Sequence, residues 1–116
     1  MTLSLFGLPN LKFLKINNPI GLKTINGGFC SGSTYLESDF DAPYATTIGS
    51  SAFYRCINLK SIKIPNIVRI EKNAMNMEGS NPMLEELIIG DKIEFVGTGT
   101  LVSCEKLKTI GFSTQQ

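Results

Sequence analysis

Three carboxylates at alternate positions, Glu37, Asp39 and Asp41, come closer to a chemical site than any other residues of this chain. On a β-strand, side chains two apart share a face, so all three would project together. Calcium takes several oxygen ligands, and an aligned trio of carboxylates could begin its shell. The segment lacks the glycine and terminal glutamate of an EF-hand loop. Lys15 and Lys63 would serve a solvated acidic patch as counter-charges, which explains the pattern more simply. No metal and no cofactor is assigned.

The sulfur chemistry is equally spare. Cys30, Cys56 and Cys104 contain no C-x-x-C pair, and the chain has no histidine, so ordinary zinc or haem sites are not expected. Cys56 and Cys104 occupy equivalent slots two repeats apart, about 10 Å along a stack of strands. A disulfide tolerates a Cα separation of only about 7 Å, so this pair is not expected to bridge. Both are assigned to the core as small hydrophobes. Cys30 lies in a Gly-rich stretch, where greater exposure and oxidation are expected. Val96-Gly97-Thr98-Gly99-Thr100 has neither the third glycine of a dinucleotide site nor the Lys-Ser/Thr of a P-loop, and reads as a turn. Nothing nominates a nucleophile with its base, so the chain is not read as an enzyme.

What must position these residues is a repeat. Ser4–Ile16, Ala52–Ile64 and Thr100–Phe112 superimpose without a gap, 48 residues apart. Each carries a bulky apolar residue, a small apolar or Cys residue three later, Leu-Lys, and two alternate apolar residues. Weaker copies between them give five strand signals, at Leu14/Ile16, Phe40/Ala42, Ile62/Ile64, Leu87/Ile89 and Ile110/Phe112. The steps are 26, 22, 25 and 23 residues, the first two and the last two each spanning 48. A period on this scale predicts a solenoid, one coil per step.

Within a coil, Ile62 and Ile64 point inward while Lys63 faces out. Pro65 suits the strand end, because it has no backbone donor. Ile67 or Val68 and Ile70 form the return edge. Ser51–Cys56 reads as a single helical or 3₁₀ turn with Phe53 and Cys56 on one face. No coil buries its apolar side alone, so stacking must supply the core.

TIGSSAFYRCINLKSIKIPNIVRIEKNAM resembles the BspA-type leucine-rich repeat, through Ile48, Ala52-Phe53, Cys56, Leu59, Ile62, Ile64-Pro65 and Ile70. The fifth coil keeps Val96, Leu101, Cys104, Leu107, Ile110 and Phe112. Coil four departs, with Met75, Glu78 and Gly90 in place of Phe, Cys and Pro, and about three extra residues around Gly79–Met83. Asn26–Thr46 diverges most. The resemblance implies an α/β-type, right-handed solenoid with a five-stranded parallel concave sheet, and short turns, strands or helical turns on its convex side. It also implies a non-catalytic, adhesin-like surface or secreted protein that binds a host or other partner protein. The alternative is an intracellular or structural scaffold.

The whole chain, residues 1–116, is taken as one domain, with strands near 13–16, 39–42, 61–64, 86–89 and 109–112. Lys15, Asp41, Lys63, Ile88 and Gly111 would form the outward column of the concave sheet. Phe13, Asp39, Ser61, Glu86 and Thr109 would form the column beside it. All but Gly111 are candidate partner contacts; mutual charge complementation is the competing explanation. A net charge of +1 gives no field for nucleic acid or anionic membrane, and no apolar run could span a bilayer. The N-terminal residues do not read as a secretory signal. Uncapped end strands invite pairing, so either an excised fragment or end-to-end contact between copies is expected.

Overall fold

The computed structural model describes residues 2–3, 8, 10–16, 19–78 and 82–113. Among the described residues nine short strands build two parallel sheets. The short-strand sheet runs β1 (Thr2–Leu3), β2 (Thr24–Ile25), β4 (Thr47–Ile48), β6 (Arg69–Ile70) and β8 (Phe95–Val96). The long-strand sheet runs β3 (Phe40–Asp41), β5 (Ser61–Ile64), β7 (Glu86–Gly90) and β9 (Thr109–Ser113). Each coil after the first is therefore a short strand, a turn and a strand of the second sheet, and the sheets face one another across the core.

The register follows the repeat. Phe40 pairs with Ile62, Ile62 with Leu87 and Leu87 with Ile110. On the opposite sheet Ile25, Ile48, Ile70 and Val96 are successive partners. Apart from Val96 and Ile110 in the last coil, these columns, with Leu36, Leu59 and Leu84, make up much of one buried cluster. Burying each large side chain contributes about 1.5–3 kcal/mol, which a lone coil could not obtain. The divergent second coil contributes Phe29, Cys30, Leu36, Phe40 and Ala42 to the same cluster. Phe29, Phe40 and Phe53 meet edge to face at centroid distances of 5.7, 5.6 and 4.8 Å.

The expected five-stranded concave sheet has four strands among the described residues. Leu14 and Ile16 do turn toward the core, but 11–16 form no strand. The Leu14 N–H donates instead to the Ser38 hydroxyl at 2.7 Å, so a side chain stands where a ladder carbonyl would. Glu37 N–H to Lys12 C=O, 2.8 Å, is the backbone bond that remains.

The α/β assignment is likewise corrected: the one described helix is a 3₁₀ turn, Pro19–Gly21, and the architecture is all-β. Ser51–Cys56 is not a helical turn. Its alternate N–H groups, on Ala52, Tyr54 and Cys56, close tight turns to Gly49, Ser51 and Phe53 (3.3, 3.2 and 3.1 Å). The others, on Ser51, Phe53 and Arg55, donate to Lys72, Ala74 and Asn76 of the next coil (3.1, 2.7 and 2.9 Å). The second and fourth coils do the same, through Gly28, Cys30 and Gly32, and through Asn73, Met75 and Met77. This third seam satisfies backbone donors that a single helical turn would leave unpaired. It requires left-handed backbone at Gly28, Ser51, Asn73 and Gly99, with φ of 69, 57, 58 and 71°.

Where the chain enters this seam, the coils approach too closely for a side chain. A Cβ on Gly49 would strike the Gly27 backbone, and one on Gly97 the Lys72 backbone.

Part of the fourth-coil insertion, residues 79–81, lies outside the described residues. Met75 and Met77 beside it are buried. Ser33 fills the second-coil position equivalent to Cys56 and Cys104, and its buried hydroxyl has no partner among the described residues.

Candidate binding face

The long-strand sheet brings the expected outward columns together. Asp41, Lys63, Ile88 and Gly111 are successive register partners, as are Ser61, Glu86 and Thr109. Phe13 stands beside this face 67% exposed. Lys15, Asp39, Asp41, Lys63 and Thr109 are exposed, and Glu86 and Ile88 half-buried. Ser61 is buried, and its hydroxyl donates to Glu86 Oε1 at 3.3 Å. Ile88 lies over Gly111, where a Cβ would meet its Cδ1.

Charge pairing differs from simple alternation along the outer column. Lys63 is the register partner of Asp41, yet its Nζ approaches Glu86 Oε1, at 3.9 Å. Asp39 and Asp41 form no ion pair with any described residue. Glu37 reaches Lys12 at 3.9 Å rather than joining them. Among the described residues no group of three His, Cys, Asp or Glu could hold a metal ion.

A further column escaped the sequence reading. Lys12, Glu37, Lys60, Glu85 and Lys108 follow the leucine that recurs in each coil and alternate in sign through all five. Backbone bonds fix neighbours in it: Glu37 N–H to Lys12 C=O, Glu85 N–H to Lys60 C=O and Lys108 N–H to Glu85 C=O (2.8, 2.9 and 2.9 Å). The signal was present as Leu-Lys in the strong copies and Leu-Glu in the weak ones.

Two hollows mark the face. A polar groove of about 350 Å³ runs along Lys60, Glu85 and Lys108 beside Asp39, Ser61, Glu86 and Thr109. A cleft of about 210 Å³ opens between the first and second coils. Its floor is Leu14, Ile16, Leu36, Phe40 and Leu59; Lys15, Ser38, Asp39 and Asp41 form the rim. The cleft lies where the ladder fails, at the Leu14–Ser38 bond. The broken rung and the hollow are one feature.

Residues 23–116 match the family model described as BspA type leucine-rich repeat region (6 copies). The chain belongs to the BspA-type leucine-rich-repeat family. The match begins at Lys23, one residue before β2, so it covers the regularly stacked coils and leaves out the irregular first one. Neither a comparison with curated proteins nor one with solved structures found a match. BspA-type repeats are typically non-catalytic protein-interaction modules, and proteins of the family are often surface-bound or secreted. No described helix is long and apolar enough to cross a membrane.

The cysteines differ from expectation at two positions. Cys30 is not exposed: it is fully buried, with its Sγ 3.5 Å from that of Cys56. Cys56 is buried as expected, whereas Cys104, in the last coil, is only partly covered. Burial pushes the Cys104 thiol up to about 11, against a lowering contribution from the Met77 backbone.

Proposed function

We propose that the long-strand face docks a partner protein, and that the cleft between the first two coils is its anchor. The whole chain then works as a single repeat domain. The observation that carries this is an apolar floor of Leu14, Ile16, Leu36, Phe40 and Leu59 opening beneath Asp39 and Asp41, carboxylates without an ion-pair partner among the described residues. The cleft's volume suits one bulky apolar side chain, and the rim favours a cation beside it. The occupant is an extended polypeptide segment that presents an apolar residue next to Lys or Arg. Buried apolar anchors inside a polar rim are where binding energy concentrates. Phe13, Lys15, Lys63, Glu86, Ile88 and Thr109 would continue the contact; Ser61, being covered, would act through Glu86.

An adhesin-like role on a surface or in secretion, with a host protein as partner, is the biological setting that family membership favours; an intracellular scaffold is the alternative. Selection of a random peptide library on the immobilised chain tests the site. Apolar–basic peptides should be enriched and then lost on Asp39→Lys/Asp41→Lys. No enrichment, or enrichment indifferent to those substitutions, would sink the proposal.

The last coil favours a second reading, self-association end to end, since Val96 and Ile110 are 55% and 50% exposed. The alternating column opposes it. Its terminal members, Lys12 and Lys108, have the same sign and would face each other across such a joint.

A further inference from the structure

Two buried thiols from different coils meet in the core. Cys30 belongs to the turn of the second coil and Cys56 to that of the third, and both are fully buried. Their sulfurs are 3.5 Å apart, and the Cys56 thiol lies 3.1 Å from the Cys30 carbonyl, to which it donates. A disulfide needs about 2.05 Å between sulfurs, so forming one requires the two sulfurs to approach by about 1.5 Å. We propose that Cys30 and Cys56 are a redox-dependent lock between the second and third coils, a dithiol in a reducing medium and a disulfide in an oxidising one.

The oxidant is a low-molecular-weight disulfide. One cysteine thiolate attacks it, displaces one small thiolate and forms a mixed disulfide. The second cysteine thiolate then attacks the protein sulfur and displaces the other small thiolate. Two protein S–H bonds are exchanged for one protein S–S bond. The small disulfide gains the two electrons and two protons as a pair of thiols.

Exchange requires a thiolate, and the folded molecule resists making one. Hydrogen bonding to Cys56 and burial together hold the Cys30 thiol far above the ordinary thiol range. The reaction therefore belongs to folding or to local opening, and the state set then persists. The bond would close a loop between positions 26 apart. By restricting the unfolded chain it should raise the melting temperature, on the order of 10 °C. It would also secure the second coil, whose other side borders the irregular first coil.

The test is refolding of the whole chain from denaturant in excess oxidised glutathione, and separately in a thiol reductant. Intact mass, alkylation under denaturing conditions and peptide mapping then read the linkage. The expected oxidised product is lighter by two hydrogens, links the Cys30 and Cys56 peptides, and leaves Cys104 alone alkylated. Three free thiols, stable glutathione adducts or a bond to Cys104 would overturn the proposal. Adding reductant should lower the melting temperature of the linked protein; no shift would refute the locking role. Cys30→Ala and Cys56→Ala should abolish the reductant-dependent shift, and if either fails to fold, the wild-type linkage map still decides.

Discussion

Ile62 and Ile110 stand on one column two coils apart, each the register partner of Leu87. Their burial is nevertheless unlike. Ile62 has coils on both sides and is fully buried, whereas Ile110 is covered from one side and remains half exposed. In a solenoid, equivalent positions share geometry, but their energetic weight depends on the layers above and below.

That contrast gives the first prediction. Ile62→Ala should destabilise the fold by about 2–5 kcal/mol, through lost burial and a cavity that neighbouring coils cannot fill. Ile110→Ala should cost about 1 kcal/mol or less, because much of its surface already meets water. Urea unfolding of the two variants checks the difference; equal costs would contradict the column.

Gly49 and Gly97 are required for backbone approach. Gly49→Ala and Gly97→Ala should each lose about 2 kcal/mol or more, since a backbone must move to admit the methyl group. Gly21→Ala is the control, as a Cβ there meets no atom within 4 Å. Thermal melts that rank Gly21→Ala beside the other two would refute the close-approach account.

The buried Ser33 hydroxyl, without a partner among the described residues, has the opposite consequence. Ser33→Ala should stabilise the chain by about 1 kcal/mol, because a desolvated polar group is removed without loss of a hydrogen bond. A lower urea midpoint for the variant would mean that the hydroxyl is satisfied in solution.

The alternating column predicts a salt-sensitive effect. Lys60→Glu would set three carboxylates in succession with Glu37 and Glu85, at a cost of about 0.5–1 kcal/mol in low salt. Near 1 M salt the Debye length falls to about 3 Å, and most of that loss should disappear. Unfolding midpoints at two salt concentrations make the comparison. A cost unchanged by salt would point to packing instead.

Cys104 titrates late. Its thiol is raised from 9.0 to about 11 by burial, so at pH 8 it should alkylate about a hundredfold more slowly than an unshifted thiol. The rate should climb with pH until about 11. The native state holds this proton more tightly than the unfolded one, so the associated stability is complete below 9.0 and falls as pH rises toward about 11. Iodoacetamide kinetics on the folded protein follow the first effect, and pH-dependent unfolding the second.

The coil period, the inward columns and the outward residues of the long-strand sheet were readable from the chain. Alternation at Ile62–Lys63–Ile64, and its recurrence at Leu87–Ile88–Ile89, states which side chain faces which way whatever lies alongside. Lys60 and Glu85 were readable too, but their opposite signs look unremarkable until the coils are aligned.

Three features depended on contacts between coils. The first rung is no strand because the Ser38 hydroxyl takes the Leu14 N–H, although Leu14 and Ile16 keep the strand pattern. Ser51–Cys56 has the spacing of a helical turn, yet every second donor there bonds to the following coil. Cys30 meets Cys56 because stacking places two turns against each other, three positions away from the slot that the repeat assigns to cysteine. A residue's own neighbours dictate the direction of its side chain. The hydrogen-bond partners of Leu14, Ser51, Phe53 and Arg55 lie more than twenty residues distant, and those bonds form only when the coils are brought together.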